Sequence, residues 1–303
     1  MSKVLSIKNV NKFYGKQKVL DNINLSLEPG EIMGLVGPNG AGKTTIMKII
    51  TRLIKNYDGD IFIGDENIRT NRKHDTKQIG CAIETPGFYP NLTGYENLLF
   101  FAEISGLKDK KEIEEIAKRL GIEGYLNKKV KTYSLGMRQR LGVAQAVLAY
   151  PQILILDEPT NGMDPAIIPQ LREFIKYIAA KKGATVLISS HILSEIELMC
   201  DRVTFIQGGK IIKVEDLKKV QKDISTMAFV TSRLDDLKKF FNERKTDYKV
   251  TGEDSLQVVL KNNEIEALTS CIAKKDIPLR GVYEVKESLE ETYLKVMEDE
   301  KNA

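Results

Sequence analysis

The chain has 303 residues, enough for one large folded unit and a smaller one, and its 46 Lys and Arg against 42 Asp and Glu leave a formal charge of only +4. Acidic and basic residues are interspersed, so charge gives no case for nucleic-acid binding, and the densest basic run, Lys128-Lys129-Val130-Lys131, reads as a solvated face. The cysteines, Cys81, Cys200 and Cys271, are odd in number and scattered, and none stands at metal-ligand spacing from His74 or His191, which fits a reduced, intracellular setting. The opening residues carry no signal-peptide core, and no run approaches the roughly 18 apolar residues of a membrane span; work at a membrane would need another chain to do the spanning.

In chain order, Leu5 and Ile7, then Ile23, Leu25 and Leu27, alternate with the period of half-buried strands, and Pro29-Gly30 supplies a turn. This predicts an antiparallel β patch feeding a parallel core. The apolar run Ile32–Val36 leads into Gly37-Pro38-Asn39-Gly40-Ala41-Gly42-Lys43-Thr44, which fills the phosphate-binding template G-x-x-x-x-G-K-[ST]; Thr45 and then Ile46, Ile49, Ile50 and Leu53 follow at helical spacing. The glycines let the backbone turn tightly and aim successive N–H groups at an anion, and the following helix adds its positive end. Lys43 brings a point charge suited to β and γ phosphates, and the Thr44 hydroxyl suits Mg²⁺.

Asp58-Gly59 and Gly64-Asp65 bracket a short strand, and Ile79–Ile83 reads as another, ending at Glu84. A helical insert is expected over about 93–150, opened by the capping box Thr93-Gly94-Tyr95-Glu96. Ile153–Leu156 is short and wholly apolar, as a strand covered on both faces must be, with Asp157 and Glu158 at its end. Asp164-Pro165 resembles an N-cap with proline at the first helical position, so a helix is predicted from there to Gly183, before a second buried strand, Thr185–Ile188, and a hairpin at Gly208-Gly209. Strands alternating with helices make residues 1–220 an α/β unit with a mainly parallel sheet. Residues 221–303 start afresh: strand Met227–Thr231, helix Leu234–Asn242, hairpin Tyr248–Leu260, helix Glu264–Lys274, strand Leu279–Val285 and a closing helix Leu289–Met297. That order, βαββαβ, predicts a small ferredoxin-like α+β domain, without a constellation of reactive side chains.

Together these pieces resemble the ATP-binding cassette family, and within it the exporter subunits that confer bacitracin or lantibiotic resistance. The resemblance spans roughly residues 3–220 and rests on ordered motifs: Tyr14 in Phe13-Tyr14-Gly15, the loop Gly37–Thr44, Ser134-Leu135-Gly136-Met137-Arg138-Gln139, the strand Ile153–Leu156 with Asp157-Glu158, Asn161–Asp164, and His191 after Ser189-Ser190. It implies a P-loop ATPase with an antiparallel β subdomain and a helical subdomain, binding ATP with Mg²⁺. Tyr14 would stack on adenine, Gly37 through Thr45 would hold the phosphates, Thr44, Asp157 and Glu84 would hold Mg²⁺, and Lys43 and Glu84 would take part in catalysis. Glu158 would act as general base and His191 would contact the γ-phosphate. Ser134, Gly136 and Met137 would address nucleotide on a second cassette in a head-to-tail dimer.

Some positions depart from the family pattern. Leu135 stands where a glycine is usual, Met137 where a glutamine is usual, and Glu84 where most cassettes carry the glutamine that senses Mg²⁺, water and the transmembrane partner. A glutamate can ligate through oxygen but cannot donate a hydrogen bond when ionised. The resemblance implies a subunit on the inner face of the cell membrane, docked on a separately encoded permease, with no nucleic acid bound and no contact with the exported substrate. General drug or lipid export, a cassette acting on nucleic acid or ribosomes, and a regulatory cassette are the competing readings.

Overall fold

The computed structural model describes residues 3–70, 79–107, 110–217, 224–261, 264–285 and 289–294. These fall into two compact units, one through Leu217 and one from Ile224 onward. His74 and the expected end of the closing helix, Val296-Met297, lie outside the described residues.

In the first unit, β1 (Leu5–Tyr14), β2 (Gln17–Leu27), β4 (Asp58–Ile63) and β5 (Glu66–Asn67) form an antiparallel sheet in the order β2-β1-β4-β5. Their alternating apolar residues, Leu5, Ile7, Ile23, Leu25, Ile61 and Ile63, enter one core with Ile46, Met47, Ile49 and Ile50 of helix α1 (Lys43–Ile50). Each such side chain stabilises the fold by about 1.5–3 kcal/mol on burial.

The main sheet runs β10-β9-β3-β8-β7-β6, built from β3 (Ile32–Val36), β6 (Ile79–Ala82), β7 (Ile153–Asp157), β8 (Thr185–Ser189), β9 (Arg202–Gln207) and β10 (Lys210–Asp216). All neighbours are parallel except β10, which turns back on β9 through Gly208-Gly209. Every residue of β3, β7 and β8 is buried, as expected for strands sandwiched between layers.

Between β6 and β7 lies the helical insert, α2 (Gly94–Ser105), α3 (Lys111–Leu120) and α4 (Leu135–Val147). The capping box is present at the start of α2: Thr93 accepts the Glu96 N–H, and Glu96 accepts the Thr93 N–H. Helix α3 buries Ile113, Ile116, Ala117 and Leu120, one stripe at helical spacing.

Beyond β7 the helix α5 (Ile168–Lys182) begins later than Asp164-Pro165 suggests. Asp164 Oδ1 accepts the Ala166 N–H and its carbonyl accepts that of Ile167, so Asp164 closes a turn on itself and the proline in the first helical turn is Pro169. Gly183, at φ 74°, ends α5, and α6 (Leu193–Met199) follows β8.

The second unit comprises β11 (Ile224–Thr231), α7 (Leu234–Glu243), β12 (Tyr248–Val250), β13 (Ser255–Lys261), α8 (Ile265–Lys274), β14 (Leu279–Glu284) and helical residues 289–294. Its sheet runs β12-β13-β11-β14 with every neighbour antiparallel. Phe229, Leu237, Phe240, Phe241, Leu256, Val258 and Ile272 form its core, with the Phe229 and Phe241 rings edge to face at 5.6 Å.

Candidate active site

Strand register decides which polar residues meet. β3, β8 and β7 are adjacent and parallel, so Leu35 pairs with Ser189 and Ser189 with Asp157, and the chain leaves all three strands at the same carboxyl edge. In open α/β sheets that edge is where ligands bind.

The loop leaving β3 carries the phosphate-binding sequence. Gly40 and Gly42 adopt φ 79° and 108°, left-handed values suited to glycine. A side chain at Gly42 would also lie 2.6 Å from Leu20 Cδ2, so β2 as well as any ligand demands glycine there. Lys43, at the first position of α1, is buried, and its Nζ donates to the carbonyls of Gly37 (2.7 Å) and Pro38 (3.2 Å). Glu158 Oε1 lies 3.9 Å from the same ammonium.

Thr44 Oγ1 donates to Asp157 Oδ2 at 2.7 Å, joining the phosphate loop to the end of β7. A hydroxyl and a carboxylate make a hard oxygen pair, suited to a small divalent cation that takes the rest of its ligands from phosphate and water. Among the described residues no group of three His, Cys, Asp or Glu side chains is arranged to hold a metal, so such a cation would depend on its nucleotide.

Glu158 leaves β7 at φ 47°, an uncommon backbone conformation for a residue other than glycine. Its Oε2 lies 2.8 Å from His191 Nδ1 and accepts from Asn161 Nδ2 at 3.1 Å, while its N–H reaches Ser189 Oγ at 2.9 Å. A partly buried carboxylate beside an imidazole, next to a lysine-lined phosphate loop, can accept a proton from a water attacking a bound phosphoryl group.

The structure thus brings Lys43, Thr44, Asp157, Glu158 and His191 into one connected cluster. Glu84, just beyond β6 with φ 59°, pairs through Oε1 with Lys48 Nζ at 2.6 Å. Lys48 lies four residues after Thr44 and so on the same face of α1, which the spacing could have revealed. Tyr14 ends β1 half exposed, with Lys12 Nζ 4.7 Å from its ring centre. Ser134 caps α4 by accepting the Met137 N–H at 3.3 Å. Gly136 packs against the loop Asn161–Asp164, where an added Cβ would lie 2.7 Å from the Gly162 carbonyl oxygen, and the half-exposed Leu135 covers Gly162 in turn.

Sequence reasoning passed over Ser189 and the Asn161 side chain. The available signal for Ser189 is a hydroxyl that directly follows the buried apolar run Val186-Leu187-Ile188.

Residues 20–161 match the family model described as ABC transporter. The chain is 37% identical over 297 residues to the uncharacterized ABC transporter ATP-binding protein YhcH of Bacillus subtilis, covering 98% of this chain and 96% of that protein, so the likeness extends through the second unit. It is 46% identical over 213 residues to the bacitracin transport ATP-binding protein BcrA of Bacillus licheniformis, covering 70% of each chain. Among solved structures, the ATP-binding cassette MJ0796, a dimer in a post-hydrolysis state bound to ADP and Pi, aligns with a TM-score of 0.65 and 25% identity over 70% of this chain and 98% of that one. A phosphate loop, two acids and a histidine at one sheet edge, in a chain with these relatives, place the protein in the ABC transporter family, as an ATP-binding and ATP-hydrolysing subunit.

Proposed function

We propose that this chain powers export of an antimicrobial peptide of the bacitracin or lantibiotic type, as the cassette of a transporter whose membrane-spanning part is a separate permease. The observation that carries the hydrolytic part is the connected cluster from Lys43 through Thr44 and Asp157 to Glu158 and His191. The 46% identity with the bacitracin transport protein supports the cargo class. No helix among the described residues is long and apolar enough to cross a membrane, which supports attachment through a partner at the cytoplasmic face.

In this reading the N–H groups of Gly37 through Thr45 surround the ATP phosphates and Lys43 exchanges its loop carbonyls for phosphate oxygens. Tyr14 offers a flat face to adenine. Thr44 and Asp157 would hold Mg²⁺, which would supply charge neutralisation when bound. Glu158 takes a proton from the attacking water, with His191 and Asn161 holding its carboxylate in place. Ser134, Gly136 and Met137, at the positive end of α4, face the nucleotide of a second cassette in a head-to-tail dimer. The dimeric MJ0796 cassette supports that assembly. Closure drives a permease only if the permease binds the closed and open dimers with different affinity, and in this reading Glu84, released from Lys48, reports nucleotide state to it.

The test is to purify tagged Glu158→Gln protein with ATP from detergent-solubilised membranes of the native host and identify its companions by mass spectrometry. Recovery of a polytopic membrane protein, with antimicrobial-peptide sensitivity in cells lacking the pair, is the expected result. Recovery only from the soluble fraction, with ribosomes or DNA, would overturn it.

A further inference from the structure

Ser189 closes β8 directly after the apolar run Val186-Leu187-Ile188, and is wholly buried. A hydroxyl there must find partners, and it finds two. Its Oγ donates to Asp157 Oδ1 at 2.6 Å and accepts the Glu158 N–H at 2.9 Å. The roles are fixed by chemistry: an ionised carboxylate can only accept, and a backbone amide can only donate. The β7–β8 register, which sets Asp157 opposite Ser189, brings the hydroxyl to both groups.

Each bond constrains one acid. By occupying Oδ1, Ser189 leaves Asp157 Oδ2 turned to Thr44 at 2.7 Å. By accepting the Glu158 N–H, it holds the peptide that enters the left-handed turn at φ 47°, a conformation that persists only where its surroundings enforce it. From there Glu158 reaches His191 and Asn161.

We infer that Ser189 is a positioning residue for ATP hydrolysis, which through one buried hydroxyl orients the cation-binding oxygen of Asp157 and fixes the backbone from which Glu158 acts. It rests on the assignment of Asp157 as cation ligand and Glu158 as base. Residues that orient a metal ligand from behind typically cost about 10–100-fold in metal affinity or activity when replaced.

The experiment compares full-length wild type, Ser189→Ala and the shape-conserving Ser189→Cys. Mn²⁺ affinity in the presence of ATP is read by electron paramagnetic resonance, alongside steady-state turnover, metal-free ATP affinity and thermal unfolding. The expected result for Ser189→Ala is turnover lower by about 10–100-fold and Mn²⁺ binding weaker by about tenfold, with metal-free ATP affinity unchanged and Ser189→Cys in between. A folded Ser189→Ala protein with wild-type Mn²⁺ affinity and turnover, and only a lower unfolding temperature, would overturn the proposal. Should the alanine variant not fold, wild-type values for Ser189→Cys would overturn it equally. Normal turnover in Glu158→Gln would instead remove the base assignment, leaving the hold of Ser189 on Asp157 to be judged by Mn²⁺ affinity alone.

Discussion

The six-stranded sheet of the cassette and the four-stranded sheet of the C-terminal unit are both packed with apolar side chains and joined by helices, yet among the described residues only the first gathers reactive groups. The difference is strand direction. β3, β7 and β8 are parallel, so three separate stretches of sequence, around Lys43, Asp157 and Ser189, emerge at one edge. In the second unit every neighbour is antiparallel, so adjacent strands end on opposite sides and their polar loop residues are divided between two edges. A site of this kind is a product of topology before it is a product of residue choice.

The largest effect is expected at the phosphate loop. Lys43→Ala removes the ammonium that caps the loop carbonyls and faces Glu158, and should weaken ATP binding by at least about 30-fold, as expected for loss of a buried charge that pairs with an anion. Isothermal titration calorimetry checks it; near-normal affinity would mean that the loop amides alone carry the phosphates. In the other unit, Phe241→Ala empties a core shared with Phe229 and Phe240 and should cost about 3–5 kcal/mol, while the ATP affinity of the cassette stays unchanged. Denaturant unfolding paired with ATP titration reads both. If ATP affinity falls together with stability, the two units do not divide packing from chemistry as described.

A smaller effect is expected at Glu84. Its ion pair with Lys48 is largely solvent-exposed on the glutamate side, so Glu84→Gln should cost less than about 1 kcal/mol of stability and leave ATP affinity nearly unchanged. Transport coupling, measured as cargo moved per ATP in vesicles containing the permease, should nevertheless change. Unaltered transport and resistance would remove Glu84 from the coupling path.

Much of this was legible in the sequence, because the signals were local. The phosphate loop announces itself by glycine spacing, β7 and β8 by unbroken apolar runs, and α2 by Thr93 and Glu96. What stayed hidden depends on partners distant in sequence or on competing local bonds. Asp164-Pro165 has the composition of a helix start, but the Asp164 side chain bonds to Ala166 and delays the helix to Ile168. The ion pair of Glu84 with Lys48 joins residues 36 apart in the chain, and no local pattern announces it. Ser189 is invisible as a functional group until the register sets it beside Asp157.

At the edge formed by β3, β7 and β8, ATP hydrolysis with Glu158 as the base requires a basic carboxylate at that position. Glu158→Gln keeps the shape of the side chain and removes its basicity, so ATP-dependent phosphate release from the full-length variant, with light scattering to follow association, tests that claim most directly. Retained ATP binding, loss of most turnover and accumulation of a closed dimer in ATP are expected. Phosphate release at the wild-type rate would contradict it.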